Sequence, residues 1–238
     1  MGGGYFANLK PSVYHGAGDA DRYPMVGHIT GGTYSTKGYF FRWNHATGWN
    51  TFDQGYLFTV NAADSPATPT DLSITTKPVF ESTDTDCFFI FRDNGNTPTQ
   101  NYLVRFTPAA SAGSIDWQNK ILVYRTADGS GVQNAAYAED IEISSDDEWI
   151  YTTMRLTTNS VDRPEALIFK LPADGTGTGT YVVGDYTVVY GTSNMTGAAG
   201  DIIATTTGNT FTNLTQWEGN TSANAVTSHT GTFTTVVV

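Results

Sequence analysis

Cysteine is nearly absent from this chain of 238 residues, which contains Cys87 alone. A single cysteine excludes an intrachain disulfide and a zinc site built from several thiolates. Cys87 lies in the apolar run 87–91, whereas a reactive thiol needs a basic and partly exposed setting. The sequence therefore predicts that Cys87 is a small buried hydrophobe and not a nucleophile.

Positive charge is also scarce, with 12 Lys and Arg against 23 Asp and Glu and a formal net charge of -11. Nucleic-acid binding requires a basic stripe that displaces counterions from phosphates, and the sequence has no such cluster. The acidity also disfavours attachment to anionic lipid by charge. We therefore expect neither a nucleic-acid partner nor a membrane partner.

Signals of targeting and membrane insertion are missing as well. No apolar stretch of the sequence approaches the length of a membrane span. The amino-terminal residues lack the basic and apolar regions of a signal peptide. We expect synthesis in a cytoplasm, with any later exposure on the outside reached through assembly.

Helical periodicity is not sustained anywhere, and the best helix candidate, 135–140, is too short to be stable. The aromatic content of 13% and the dense Gly, Thr, Asn, Asp and Ser instead suit sheets joined by turns. Short aromatic or β-branched runs recur in pairs bounded by turn residues, which predicts antiparallel hairpins. The pairs are 39–43 with 55–60, 87–91 with 102–106, and 148–152 with 166–171.

The paired runs resemble copies of one unit, at a spacing of about 45 to 65 residues that is typical of propeller blades. Segment 140–144 alternates polar and apolar residues, as a strand with one solvated face does. The predicted fold class is all-β, with propeller-like blades of repeated antiparallel hairpins and a β-sandwich as the alternative. Further strands are predicted at 114–123, 180–183 and 186–190.

The sequence divides into three parts. Residues 1–25 are predicted to be an irregular N-terminal arm, and residues 26–191 hold the repeated hairpins. Residues 192–238 form a Thr-, Gly- and Asn-rich C-terminal extension that is predicted to be β. The extension ends in the strand-like run 232–238, which either pairs with a neighbouring chain or completes the chain's own sheet.

Two runs of the sequence resemble a β-propeller repeat. In 140–151 an acidic turn leads into an aromatic strand, and in 166–175 an aliphatic strand ends in a Gly turn. Segment 170–181 and the Thr-rich tail are similar to structural proteins of marine tailed phages, which carry propeller-like repeats in virion appendages and tail fibres. The resemblance covers roughly residues 80–238. It implies partners that are other virion proteins or copies of the chain itself, and it carries over no catalytic motif and no cofactor.

The number of units departs from the family pattern, because about three units are fewer than the four to eight blades of a closed propeller. Three explanations stay open. The chain is a fragment of a longer protein, or an unrecognised blade lies in the amino-terminal stretch or the tail. Otherwise the hairpins form a sandwich, or a sheet that other subunits complete.

Candidate binding residues are few. His45 and Trp49 lie in a predicted loop between two strands, and together with Trp217 they are assigned to a contact surface for a host glycan or protein. Trp117 and Trp149 are expected to fill the core. The four histidines show no zinc-ligand spacing, so no metal site is predicted from them.

The best calcium candidate is the loop that contains Asp93, Asn94 and Asn96, because calcium prefers oxygen ligands on a flexible loop with a Gly turn. The full EF-hand spacing is missing, and Asx and Gly residues also dominate ordinary turns. We therefore favour turn chemistry at this loop, as at the other acidic clusters, and expect no cofactor.

Function is expected to come from assembly and surface contact. The first hypothesis is a structural component of a tailed-phage virion, namely an appendage, a tail fibre or a decoration protein. The alternative is a carbohydrate- or protein-binding propeller module of a microbial surface protein, located at the extracellular surface. A glycan-cleaving enzyme would need two carboxyl groups facing across a groove, and without hydrolase motifs we expect no enzyme.

Overall fold

The structure is a computed structural model that describes residues 5–11, 22–30, 37–44, 55–60, 64, 72–93, 99–109, 113–125, 135–157, 165–184 and 186–200. Every regular element in these ranges is a β-strand, so the all-β prediction is confirmed. The strands are β1 (Tyr5–Pro11), β2 (Arg22–Thr30), β3 (Lys37–Asn44), β4 (Gly55–Thr59), β5 (Leu72–Ile74), β6 (Val79–Phe80), β7 (Cys87–Asp93), β8 (Gln100–Thr107), β9 (Ser114–Arg125), β10 (Ala135–Ile143), β11 (Trp149–Thr157), β12 (Glu165–Pro172), β13 (Gly179–Val183), β14 (Tyr186–Thr192) and β15 (Thr196–Gly200).

These strands form three antiparallel sheets. Sheet A has the order β1-β2-β3-β4-β15. Sheet B has the order β13-β14-β9-β8-β7-β5, with β6 also paired to β7, and sheet C has the order β10-β11-β12. The described strands do not form a closed ring of blades.

The three predicted hairpins are confirmed, each by an antiparallel pair of strands. β3 pairs with β4, β7 pairs with β8, and β11 pairs with β12. Each hairpin lies in a different sheet, because β3 and β4 belong to sheet A, β7 and β8 to sheet B, and β11 and β12 to sheet C. The repeated unit therefore contributes one hairpin to each layer.

Strand β7 explains how the layers are stacked, because both of its faces are buried. Phe88 and Ile90 pack into a core shared with sheet C. Cys87, Phe89 and Phe91 point the other way and pack into a core shared with sheet A. Sheet B is therefore the middle layer. A strand buried on both faces is a continuous apolar run and does not alternate, which accounts for the composition of 87–91.

The core between sheets A and B is built mainly from aromatic rings. The Phe58 ring centroid lies 5.3 Å from that of Phe89, 5.2 Å from that of Phe91 and 5.4 Å from that of Phe106. A Cβ atom at Gly38 would lie 2.4 Å from the Phe91 ring. Glycine at this position therefore lets the backbone of β3 approach the aromatic core closely.

The core between sheets B and C is more aliphatic, and a buried amide anchors it. The Asn101 side chain of β8 donates from Nδ2 to the Ala136 carbonyl at 2.9 Å and accepts from the Ala138 N–H at 3.4 Å. These two bonds replace the ladder bonds that another strand would make at this edge of β10. The amide therefore satisfies backbone polar groups that the packing of sheet C buries.

The acidic clusters 84–86 and 146–148, which were predicted to be turns, form two turns of the same kind. The Glu81 N–H donates to the Asp86 carbonyl at 3.1 Å, and the Ser144 N–H donates to the Trp149 carbonyl at 2.8 Å. Each turn holds one Asp at positive φ, 63° for Asp84 and 59° for Asp147. Asp tolerates this left-handed conformation better than most residues, so the turn interpretation is confirmed for these two clusters.

Several sequence expectations differ from the structure. Part of the predicted irregular arm 1–25 is strand β1 and the start of β2, which are paired to each other. Residues 135–140, judged too short for a stable helix, lie in β10. The buried alanines there face the sheet B core, so tertiary packing overrides their helix propensity.

The predicted strands at 180–183 and 186–190 are also present, but in an unexpected place. They are β13 and β14, and β14 pairs with β9 of sheet B instead of extending sheet C. The start of the predicted C-terminal extension is β15, which pairs with β4 of sheet A. Residues 201–238, including the run 232–238, lie outside the described residues.

Candidate functional site

The outer face of sheet C is the most promising contact surface of the described residues. Strand β11 alternates strictly, with Ile150, Thr152, Met154 and Leu156 buried and the residues between them facing outward. We call this surface the outer face of sheet C. Its residues are Tyr137, Glu139, Asp140, Glu142, Trp149, Tyr151, Thr153, Arg155, Ala166, Ile168 and Lys170.

Aromatic rings and cations alternate on this face. The Lys170 Nζ lies 3.9 Å from the Trp149 ring centroid and 6.0 Å from that of Tyr151. The Arg155 Cζ of this face lies 5.0 Å from the Tyr137 ring centroid, and the Arg92 Cζ of β7 in sheet B lies 4.3 Å from it. Cation–π contacts of this kind hold ring and cation at a fixed spacing on the surface.

The face also exposes apolar area. Ile168 is 76% exposed and Tyr151 is 39% exposed. In the register of the sheet, Ile168 is opposite Thr153 and Lys170 is opposite Tyr151, so these side chains are neighbours. A flat surface that combines exposed apolar area, aromatic rings and a cation is suited to contact with a protein or with the apolar face of a sugar ring.

Two surface contacts join sheet C to sheet B at the end of this face. The Ser82 N–H donates to Asp147 Oδ1 at 2.9 Å and to Oδ2 at 3.0 Å. Lys77 Nζ lies 2.9 Å from Glu142 Oε1 in an exposed ion pair. The sheet is anchored mainly by its inner face, which packs on sheet B in a buried core. An ordered surface of this kind reduces the entropy cost of binding.

A second polar cluster surrounds Arg105 at one end of β8. Its guanidinium Nη2 lies 2.6 Å from Asp86 Oδ2 and 3.1 Å from Glu81 Oε2, and its Nε lies 3.8 Å from Asp116 Oδ2. The Thr107 Oγ1 is 2.6 Å from Asp86 Oδ1 and 2.9 Å from Asp116 Oδ2. Three carboxyl groups thus share one cation and one hydroxyl.

Within this cluster, Asp116 has a raised pKa. The Thr107 hydroxyl has one proton and can donate to one carboxylate only. Burial, and after it the charge of Asp86, raises the pKa of Asp116 against the opposing hydrogen bond from Thr107. Since Arg105 is already engaged by these carboxylates, the cluster acts as an internal brace across β7, β8 and β9.

The third polar cluster is centred on Asp64, whose carboxylate is buried. Lys120 Nζ lies 2.9 Å from its Oδ1, and the Ser193 hydroxyl donates to its Oδ2 at 3.0 Å. The Asn194 backbone N–H also donates to Oδ2. Burial alone would raise the pKa of Asp64, but the hydrogen bonds from these three partners outweigh it and lower the pKa. The carboxylate thereby fixes the crossover from β14 of sheet B to β15 of sheet A.

The contact and calcium residues predicted from sequence lie mostly outside the described part of the chain. This applies to His45, Trp49, Trp217, Asn94 and Asn96, so their assignments stay predictions. Asp93 is described, and it is fully buried at the end of β7. In the described ranges, no group of three or more His, Cys, Asp or Glu side chains is arranged to hold a metal ion.

The remaining predictions for single residues have mixed outcomes. Cys87 is confirmed as a buried hydrophobe, and burial raises the pKa of its thiol well above the ordinary value. Trp117 packs against the core as expected, and its indole N–H donates to the Ala173 carbonyl at 3.2 Å. Trp149 differs, since it lies on the outer face of sheet C beside Lys170.

The outer face of sheet C was missed by the sequence analysis. Alternation along 149–156 was the available signal, because every second residue is Ile, Thr, Met or Leu while Trp149, Tyr151 and Arg155 fall between them. Among the described residues, no helix is long and apolar enough to cross a membrane. The sequence matches no protein-family model, no curated protein and no solved structure.

We predict that Asp64→Asn destabilises the fold at neutral pH by about 1–3 kcal/mol, since Lys120 loses its counter-charge in a largely buried site. Because the folded-state pKa of Asp64 is lowered, its stabilising contribution is present above the unfolded-state pKa of about 3.9. It is lost as the pH falls through the lowered folded-state value. Urea unfolding of both proteins at several pH values between pH 7 and pH 3 measures this.

The matched control is Glu142→Gln, which breaks an ion pair with the same 2.9 Å separation at an exposed position. Exposed pairs contribute about 0–1 kcal/mol, so its unfolding midpoint should stay close to that of the unmodified chain. An equal effect of the two substitutions at neutral pH, or an Asp64→Asn effect that persists undiminished at pH 3, would contradict the assigned role of Asp64.

Proposed function

We propose that the chain is a structural component of a tailed-phage virion, an appendage, tail-fibre or decoration protein that acts through assembly and surface contact. The observation that supports this best is the outer face of sheet C. Ile168 is 76% exposed there, beside Tyr151 and the Trp149–Lys170 pair. An exposed apolar and aromatic surface on an anchored sheet is a typical site of protein–protein contact.

The polar clusters fit this proposal because they brace the body of the protein. The Asp64 cluster links sheet B to the crossover into sheet A, and the Arg105 cluster joins the ends of β7, β8 and β9. The carboxylates of both are occupied by cations and hydroxyl groups of the chain itself. A virion component needs a stable fold whose outer surfaces are available for contact. The internal hydrogen bonds and ion pairs of these clusters stabilise that fold.

For the finer fold class we propose stacked sheets of the sandwich type in preference to propeller blades. Face-to-face packing of consecutive hairpins is common to both architectures. A propeller blade, however, is a continuous meander, whereas β13 and β14 return to sheet B after sheet C, and β15 returns to sheet A. Such returns favour a layered body whose sheets are completed by later segments.

The virion proposal predicts that the chain is found in purified virus particles from the source sample at a stoichiometry above trace. Mass spectrometry of tryptic digests measures this. Suitable peptides are 93–105, 106–120 and 156–170. The segment after Lys170 is less suitable, because it contains no Lys or Arg and stays one long peptide. Failure to detect them, in particles whose other structural proteins are well covered, would overturn the proposal.

A carbohydrate-binding module of a microbial surface protein is the second candidate, and the geometry of Trp149 favours it. The indole ring lies at the surface next to Lys170, whose Nζ is 3.9 Å from the ring centroid. Trp149 is half-buried, and the accessible part of an indole beside a hydrogen-bond donor can stack on a sugar while the donor binds its hydroxyl groups. Detectable glycan binding together with absence from virus particles would support this candidate.

If the outer face of sheet C binds glycan, Trp149→Ala should weaken binding about tenfold, the factor that corresponds to ~1.4 kcal/mol. Titration of the full chain with host polysaccharides, followed by calorimetry, measures this. Thr153→Ala is the control, because Thr153 lies on the same face but has no ring. Trp49→Ala and Trp217→Ala test the loop residues predicted from sequence. Equal affinity of the Trp149→Ala variant and the unmodified chain would exclude this face as the glycan site.

A further inference from the structure

Strand β13 is an edge of sheet B that no described strand covers. It pairs with β14 on one side, from Gly179 opposite Tyr190 to Val183 opposite Tyr186. All five residues are exposed, and Val182 reaches 75%. Alternate residues of an edge strand direct their N–H and C=O groups outward. The strand therefore presents backbone hydrogen-bonding groups together with the exposed apolar side chains of Tyr181, Val182 and Val183.

Most other described edges of the sheets have features that block pairing with another strand. Strand β12 contains Glu165, Lys170 and Pro172, and β1 contains Lys10 and Pro11. The edge of β10 is closed by the Asn101 amide, and β5 is only three residues long. Charges, prolines and short strands are the usual protection against edge-to-edge association. Neither β13 nor β15 contains a charged residue or a proline. The side chains of β13 are larger than those of the Gly- and Ala-rich β15.

The edge of β13 is already ordered in the single chain, before any partner strand is added. Tyr181 donates its hydroxyl proton to the Gly177 carbonyl, which holds its ring beside the start of the strand. Gly184, at φ 58°, turns the chain from β13 towards β14. Because the hairpin is fixed on the neighbouring β9 through β14, an added strand would meet an ordered template.

We propose that β13 pairs antiparallel with β13 of a second copy of this chain across a twofold axis. In the register centred on Tyr181, Tyr181 is opposite Tyr181 of the second copy. Thr180 is then opposite Val182, and Gly179 is opposite Val183. The two middle sheets join into one continuous sheet, and the outward N–H and C=O groups of both strands become paired.

Charge favours a second copy at this edge. Each chain carries a net charge of -11, so two copies repel each other wherever acidic residues meet. Residues 175–184 contain no charged side chain, and the two strands therefore approach without repulsion at the seam. The pairing is isologous, because both copies use the same strand. Both β13 edges are then paired, so the assembly stops at a dimer and does not grow into a fibre.

This inference concerns a surface on sheet B and does not depend on the virion proposal. A seam of five residues from each copy is small, and interfaces of that size are weak. We therefore expect a reversible dimer with a dissociation constant on the order of micromolar. Assembly into a larger particle would strengthen the pairing through effective concentration.

Sedimentation velocity of the full chain over about 1–100 µM tests the proposal. The expected result is a concentration-dependent shift from a 25.7 kDa monomer to a species of twice that mass. Val182→Asp introduces a carboxylate at each side of the seam and should weaken the dimer at least about tenfold. Val182 is 75% exposed, so the substitution leaves the cores unchanged.

The matched control is Ile168→Asp, since Ile168 is 76% exposed and lies on the edge strand of sheet C. This variant should dimerise like the unmodified chain. The register is tested with Tyr181→Cys and a short bifunctional maleimide, which should cross-link two copies, because the paired Cα atoms would be about 4.5–5.5 Å apart. Cys87 is buried and does not compete.

Three outcomes would overturn the proposal. A chain that stays monomeric throughout the concentration range has no such seam. In that case, slow hydrogen exchange of the β13 amides would indicate that the edge is covered by the chain's own residues 201–238. A dimer that survives Val182→Asp unchanged uses another surface. A dimer broken by Ile168→Asp but not by Val182→Asp is formed through the outer face of sheet C.

Discussion

The burial of β7 on both faces is the constraint on which the rest of the structure depends. Phe89 and Phe91 fill the core against sheet A, while Phe88 and Ile90 fill the core against sheet C. A strand with no solvated face is stable only between two other layers. Sheet C needs only one apolar face, and its second face is exposed. In sheet A, Tyr39 and Phe41 are buried although they point away from the core that contains Phe40.

Three layers create buried polar groups at their junctions, and the chain satisfies them with side chains. Asn101 bonds the edge of β10, and Asp64 fixes the crossover between β14 and β15. Arg105 neutralises carboxylates within sheet B, at the end of β8. The layers are thus held by hydrogen bonds and ion pairs as well as by apolar burial. The contacts proposed above use two exposed surfaces, the outer face of sheet C and the edge of β13.

The sequence was sufficient to predict the local elements, because paired aromatic runs separated by turn residues indicate hairpins without reference to the rest of the chain. It was not sufficient to assign strands to sheets. The apolar run 87–91 predicts a buried strand but does not tell which layers cover it, and β13 and β14 follow sheet C in sequence yet join sheet B. Trp149 was expected in the core, since a tryptophan in a strand is buried more often than exposed, and its outward direction depends on the register of β11.

The most direct test of the account is to measure the stability of Phe88→Ala and Phe89→Ala side by side by urea unfolding. Adjacent residues of a strand point to opposite faces, so in a two-layer protein one of the two would face solvent and cost no more than about 0.5 kcal/mol. The three-layer arrangement predicts that both substitutions cost about 3–5 kcal/mol. A large loss for one and a negligible loss for the other would contradict the central position of sheet B.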